Sequence, residues 1–138
     1  FCPKNTNKYL GDPTNIWYRS LWERRVMVHL DENPNVIEWS NEEIVIPYLS
    51  PVDNRWHRYF PDFFVRVFNK SGMREAMILE VKPKSQSQPP QKKSKITRKY
   101  INEVMTWGVN EAKWKAAGAY CDERGWKFRV ITEEHLGI

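Results

Sequence analysis

The sequence has 138 residues, of which 41% are hydrophobic and 28% charged, and its 22 Lys and Arg against 17 Asp and Glu give a net charge of +5. This length predicts a single domain over residues 1–138 with a core of its own, and the composition excludes a disordered or fibrous chain. The longest apolar run, residues 44–49, is far too short to span a membrane, so a membrane protein is excluded as well.

The predicted elements begin after a polar lead-in, residues 1–11, which we expect to be loosely ordered. Asp12 followed by Pro13 has the chemistry of a helix start, with the acid as the cap and the proline at the first helical position. We therefore predict a helix over residues 14–32, which the Asn-Pro pair at residues 33–34 ends.

A run of strands follows this helix. Residues 36–39 and 44–48 read as two strands joined by a short polar turn, and residues 58–68 read as a third. Residues 69–72 have the composition of a hairpin turn, so residues 75–82 are the expected partner of the third strand.

The last part of the chain begins with a basic loop rich in Pro, Gln and Ser, residues 83–96, which is too polar to pack. Residues 97–124 are predicted to be helical, with a break near Gly108, and residues 126–132 form a final strand. The order of helix, strand meander, helix and strand predicts an α/β fold in which a mixed β-sheet is flanked by helices.

The positive charge is concentrated in one segment. Residues 82–99 contain seven Lys or Arg and no acid, whereas the rest of the chain has 15 basic against 17 acidic residues. Flexible cations of this kind can neutralise DNA phosphates, although a solvated linker would have the same composition. The candidate DNA contacts are Lys84, Lys92, Lys93, Lys95, Arg98 and Lys99, with Lys113 on the following helix.

Three acidic residues and a lysine form the candidate catalytic set. Alternation along the strand puts Glu80 and Lys82 on one face, and the hairpin turn brings Asp62 to the same end of the neighbouring strand. Glu23 interrupts the apolar row of the first helix, where an inward carboxylate is unfavourable unless a cation or donors meet it. Carboxylate oxygens without nearby His or Cys suit Mg²⁺ or Mn²⁺, and Lys82 could stabilise charge on a phosphate.

Each of these residues also has a structural interpretation. Glu80 and Lys82 could be a solvated cross-strand pair, Glu23 could pair with Arg19 on the surface, and Asp62 could be a turn residue after Pro61. The joint occurrence of all four in a helix and two adjacent strands favours the catalytic interpretation.

The motifs at residues 59–65 (YFPDFFV) and 78–83 (ILEVKP) resemble those of the PD-(D/E)xK nuclease superfamily. The branch to which the sequence is most similar is that of the nuclease subunit of Tn7-like transposases. Across nearly its full length, including residues 11–15 and 50–54, the chain also resembles the head completion nucleases of T-even-type tailed bacteriophages.

This resemblance implies a restriction-endonuclease-like core and a Mg²⁺-dependent deoxyribonuclease for which Mn²⁺ can substitute. It implies that Asp62, Glu80 and the backbone carbonyl of Val81 bind the metal, that Lys82 is the catalytic lysine, and that Glu23 is the helical acid and a further candidate ligand. The implied partners are double-stranded DNA and phage head, portal or neck proteins, in the cytoplasm of the infected host or on the virion.

Two other functions remain open from the sequence. One is a structural head or neck completion protein that has a nuclease fold and an unused site, and the other is a basic nucleic-acid-binding module. The intact set of acids and lysine argues against both, because carboxylates facing phosphate would only weaken a binding module. No base-reading helix is recognisable, so we expect cutting directed to DNA ends or structures and not to a base sequence.

Overall fold

A four-stranded mixed sheet with a helix on each face forms the centre of the computed structural model, which describes residues 1–137. The sheet strands, in chain order, are β1 (Val36–Asn41), β4 (Phe63–Phe68), β5 (Arg74–Val81) and β6 (Lys127–Ile131). They lie side by side in this same order, with β6 parallel to β5 and the other neighbours antiparallel. The other elements are α1 (Leu21–Glu32), β2 (Ile46–Leu49), β3 (Trp56–Tyr59), α2 (Arg98–Arg124) and α3 (Glu133–Leu136), with 3₁₀ turns at Thr6–Lys8 and Lys84–Gln86. The predicted α/β class, with helices flanking a mixed sheet, is confirmed.

Alternation along the two central strands divides the core into two clusters. Leu79 and Val81 of β5 pack with α1 on one face, whereas Ile78 of the same strand packs with α2 on the other. Glu80 follows the parity of Ile78 and therefore belongs to the α2 face, at the carboxyl end of the strand. This confirms the predicted division of residues 77–82 between two faces.

Strands β2 and β3 form a separate two-stranded ribbon and do not continue the sheet. The prediction of one strand over residues 58–68 is therefore wrong, and so is a meander in which β2 pairs with β1. Pro61 lacks the N–H that a continuous ladder would need, and the chain leaves the ribbon at Tyr59 and enters the sheet at Phe63. The break places Asp62 between the two strands, at the sheet end.

The first helix starts later than predicted, at Leu21. The Asp12 carboxylate accepts the N–H and hydroxyl of Thr14 in a local turn, while the Ser20 hydroxyl accepts the N–H of Glu23 and caps α1. The predicted helix start at Asp12 and Pro13 is therefore a turn, because a short acidic side chain can bind its own neighbouring backbone as well as a helix end.

Residues 1–11 are held against the body and are not the loosely ordered lead-in that we predicted. Asp31, only 2% exposed, accepts the backbone N–H groups of Lys4 and Asn5, and the Tyr9 ring packs edge-on against Trp39 at 4.7 Å. The sequence pattern missed this anchor because a single buried acid gives no periodic signal.

The second helix runs without interruption from Thr97, whose hydroxyl caps it, to Gly125, whose left-handed backbone (φ 70°) ends it. The predicted break near Gly108 is wrong. The helix is continuous through Gly108, and no close approach requires a glycine there, because the nearest atom to an added side chain would be Pro51 at 3.7 Å. Within residues 1–137, the structure has no helix that is long and apolar enough for a membrane span.

Candidate active site

A cleft of about 320 Å³ lies where the carboxyl end of β5 meets the end of β3, the start of α1 and the middle of α2. Its walls carry both signs of charge. The lining residues are Arg19, Glu23, Glu42, Arg58, Tyr59, Phe60, Asp62, Glu80, Val81, Lys82 and Lys113. All four sequence-predicted catalytic residues, together with Lys113, therefore line one cavity.

Asp62 is fixed at the base of this cleft by backbone contacts. Its Oδ2 accepts the N–H of Val81 at 2.8 Å, and its own carbonyl accepts the Asn41 Nδ2–H at 2.9 Å and the Glu42 N–H at 3.1 Å. Glu42 has a left-handed backbone (φ 56°), which is uncommon for a residue with a side chain. The corner at residues 41–42 thus positions Asp62, and the sequence predicted only a polar turn there.

Glu80 lies beside Asp62 because the β4–β5 register pairs Phe63 with Leu79. Its Oε2 accepts the hydroxyl of Tyr59, which the ribbon buries, and its Oε1 lies 4.0 Å from Nζ of Lys82. Tyr59 is a site residue that the motif did not identify. Its place in the YFPD run of residues 59–62 is the only signal that sequence offered.

The two carboxylates are buried side by side, with only 9% of Asp62 and 6% of Glu80 exposed. Burial disfavours their charged forms, and the charge of Glu80 adds to this effect on Asp62, so the pKa of Asp62 rises from 3.8 to about 8. Burial also raises the pKa of Glu80, while Tyr59 and Lys82 favour its charged form. At neutral pH Asp62 therefore keeps its proton, which a bound cation would displace.

Glu23 reaches the cleft from the first turn of α1, and its carboxylate also closes the start of that helix. Its Oε2 accepts the N–H of Arg19 at 3.2 Å, beside the Ser20 cap. The predicted alternative, an ion pair with Arg19, is not formed, because the Arg19 guanidinium contacts Glu42 at 3.3 Å. The Ser-x-x-Glu spacing of residues 20–23 is the signal that the sequence interpretation overlooked.

The basic segment is mostly outside the cleft. Lys84 pairs with Glu134 at 2.7 Å near α3, and the other predicted DNA contacts of the segment (Lys92, Lys93, Lys95, Arg98 and Lys99) are exposed. Lys93, Arg98 and Lys99 line a second groove of about 890 Å³ between this loop and the first half of α2. These cations remain candidates for phosphate contacts along a DNA backbone, at a distance from the acids.

The donor set suits a hard divalent cation. Val81 N–H and Tyr59 O–H occupy Asp62 Oδ2 and Glu80 Oε2, which leaves the second oxygen of each carboxylate for a metal. Among residues 1–137, no three His, Cys, Asp or Glu side chains are grouped to hold an ion. Two carboxylates with waters filling the remaining positions match the coordination that Mg²⁺ prefers in proteins. A cation there would also favour the charged forms of both buried carboxylates.

The bond from Tyr59 to Glu80 gives a first testable consequence. We expect Tyr59→Phe to lower the free energy of unfolding by about 1–2 kcal/mol, because Glu80 stays buried and loses a donor. Urea denaturation at pH 8 in EDTA measures this change. Tyr48→Phe is the control, since Tyr48 lies in the same ribbon and its hydroxyl makes no side-chain hydrogen bond within residues 1–137, so it should change stability by less than about 0.5 kcal/mol. Equal effects of the two variants would contradict a supporting role for the Tyr59 hydroxyl.

Comparisons with known proteins agree with this geometry. A family model described as the N-terminal part of TnsA-like endonucleases matches residues 33–133, a span that contains Asp62, Glu80, Lys82 and Lys113 but not Glu23. The chain is 43% identical over 138 residues to the head completion nuclease of Enterobacteria phage T4, and the alignment covers 97% of this chain and 89% of that protein. No solved structure gave a significant match. The resemblance inferred from the motifs is thereby confirmed.

Proposed function

Because the chain belongs to the TnsA-like endonuclease family, we propose that it hydrolyses phosphodiester bonds of double-stranded DNA with a divalent metal ion held by Asp62 and Glu80. Family membership makes it an endonuclease. The metal, the DNA substrate and the roles of individual side chains are the proposed part. The buried carboxylate pair is the observation that carries it. Two adjacent buried acids destabilise the fold, and a bound cation offsets this cost because it favours the charged form of both.

The reaction adds water across one ester bond. A water oxygen bonds to phosphorus, one P–O ester bond breaks, and the products are a phosphate monoester end and a hydroxyl end. When bound, the metal ion would polarise the phosphate and acidify a coordinated water. Asp62 and Glu80 would hold it with one oxygen each, and the Val81 carbonyl is a proposed third ligand.

The other side chains of the cleft act on the substrate. The Lys82 ammonium, 4.0 Å from Glu80 Oε1, would contact the phosphate or the attacking water and stabilise the negative charge that develops. Glu23 lines the cleft and raises the pKa of Asp62 by its charge, and we propose that it takes the position of the helical acid. Its bond to Arg19 N–H keeps the carboxylate in place.

The DNA backbone would continue from the cleft along the exposed cations of the basic segment. Contacts of this kind bind phosphates without reading bases, and they make affinity fall with rising salt. This fits cutting directed to DNA ends or structures. We propose Lys92, Lys93, Lys95, Arg98 and Lys99 for these contacts, and Lys84 contributes only when it leaves Glu134.

The similarity to the phage T4 head completion nuclease suggests the biological setting. We propose that this nuclease acts in phage head completion inside the infected host, where phage head, portal or neck proteins would direct it to DNA. A purely structural completion protein is disfavoured, because such a role gives no reason for two buried carboxylates with lysines beside them.

The test is metal-dependent cleavage of supercoiled plasmid by the purified protein. We expect nicked and then linear DNA in Mg²⁺ or Mn²⁺, and none in EDTA, since the carboxylates alone cannot activate water at neutral pH. The products are separated on agarose gels over time at several metal concentrations. Cleavage that persists in EDTA, or intact plasmid at all metal concentrations, would contradict the proposed function.

A further inference from the structure

Lys113 of α2 enters the cleft from the face opposite to α1, beside Glu80 and Lys82. Its Nζ lies 5.6 Å from the centre of the Tyr59 ring and 5.8 Å from that of the Tyr48 ring, so two aromatic faces of the ribbon position the ammonium. The same Tyr59 donates its hydroxyl to Glu80. One tyrosine thus positions both an acid and a lysine of the cleft.

The environment of Lys113 differs from that of an ordinary surface lysine. Lys115, two residues later, is 79% exposed and pairs with Glu111, whereas Lys113 is half-buried and has no carboxylate within 4.0 Å among residues 1–137. Burial and the neighbouring charge of Lys82 lower the pKa of Lys113, and the charges of Glu80 and Asp62 offset this only in part. A partly desolvated ammonium without an ion partner is unfavourable in the free protein, and an anion bound in the cleft would relieve this cost.

The charge that develops during hydrolysis fits two lysines. A phosphodiester carries one negative charge, and the pentavalent transition state of its hydrolysis carries two. The two carboxylates, Asp62 and Glu80, balance the charge of the proposed divalent metal. Lys82 alone then matches the first state, and Lys82 with Lys113 matches the second. A group that binds the transition state more tightly than the substrate accelerates the reaction, which a lysine that only attracts DNA does not.

We propose that Lys113 is a second catalytic lysine, whose ammonium binds a non-bridging oxygen of the scissile phosphate. This inference rests on the proposed nuclease function and goes beyond general DNA binding, because it assigns Lys113 to the reacting phosphate. The competing interpretation is that the aliphatic stem of Lys113 only covers the rings of Tyr48 and Tyr59.

Lys113→Met separates the two interpretations, since Met retains an apolar stem over the rings and removes the charge. We expect the single-turnover rate of plasmid cleavage in Mg²⁺, at saturating protein, to fall about 100-fold. Binding of a labelled duplex, measured by anisotropy in Ca²⁺, should weaken by less than about 5-fold, since one phosphate contact among several is lost. Lys115→Met removes the same charge from the same helix and should change both quantities by less than about 2-fold.

A second measurement does not depend on cleavage. In EDTA, bound DNA should protect Lys113 from acetylation, as read by mass spectrometry of the modified peptides, and acetylation of Lys113 that DNA does not change would overturn the inference. If Lys113→Met unfolds, Lys113→Arg replaces it in the cleavage assay and should retain part of the wild-type rate. Cleavage by Lys113→Met within about 3-fold of the wild-type rate, or equal losses in Lys115→Met, would overturn the inference while leaving the nuclease function intact. A wild-type protein that does not cut would overturn both.

Discussion

Asp62→Asn is expected to reduce cleavage by about 1,000-fold or more, because the amide keeps the bond to Val81 N–H but cannot give the metal a charged oxygen. The change is nearly isosteric, so the geometry of the β4–β5 end is retained. Asp122→Asn is the matched control, since Asp122 is an exposed residue near the far end of α2. Single-turnover plasmid cleavage in Mg²⁺ compares the two variants.

The same substitution is expected to stabilise the metal-free protein. The pKa of Asp62 is about 8 in the folded chain and near 3.8 in the unfolded chain, so the folded state holds the proton more tightly. Wild-type stability therefore falls as pH rises from about 4 to 8, and the loss is complete above pH 8. Asp62→Asn lacks this loss and should be more stable at pH 8 by on the order of 3 kcal/mol, but little changed at pH 4.

Urea denaturation in EDTA at pH 4 and pH 8 measures this difference. Opposite effects on activity and on stability are typical of a residue retained for chemistry and not for folding. A variant that loses both activity and stability at pH 8 would show that Asp62 is structural, and a variant that retains cleavage would remove it from the site.

Lys82→Met is expected to reduce the cleavage rate by about 100- to 1,000-fold and to leave divalent metal binding within about 2-fold of wild type. The Lys82 ammonium is close enough to Glu80 to act on a phosphate bound there, but the Lys82 side chain offers no oxygen to the proposed metal ion. Cleavage assays in Mg²⁺ and titration with Mn²⁺ give the two quantities.

The control for this variant is Lys70→Met. Lys70 is exposed and lies in the turn at the opposite end of the β4–β5 hairpin, so its substitution removes the same charge far from the cleft. We expect it to cut at nearly the wild-type rate. A similar loss in both variants would mean that Lys82 contributes only to the net charge of the protein, and a loss of metal binding in Lys82→Met would mean that it organises the carboxylates.

The sequence predicted the cleft end of the sheet well because the signals are local. Alternation over residues 77–82 gave the two faces of β5, and the turn at residues 69–72 gave the register that places Asp62 beside Glu80. Both depend only on the period of a strand and the length of a hairpin.

The features that the sequence did not predict depend on contacts between distant segments. Asp31 fixes residues 1–11 through backbone N–H groups, Asn41 holds the carbonyl of Asp62, and Lys113 reaches the cleft only because the ribbon of β2 and β3 packs against α2. The ribbon itself depends on one break at Pro61 inside an otherwise strand-like run. No local sequence pattern encodes these contacts, so they can be identified only from the three-dimensional structure.

The most direct test of the central claim is calorimetric titration of the protein with Mn²⁺, comparing wild type with Glu80→Gln. If Asp62 and Glu80 hold the metal, the wild-type protein gives a saturable heat, and the amide variant loses it while remaining folded. An unchanged isotherm in Glu80→Gln would contradict the assignment of this carboxylate pair as the metal site.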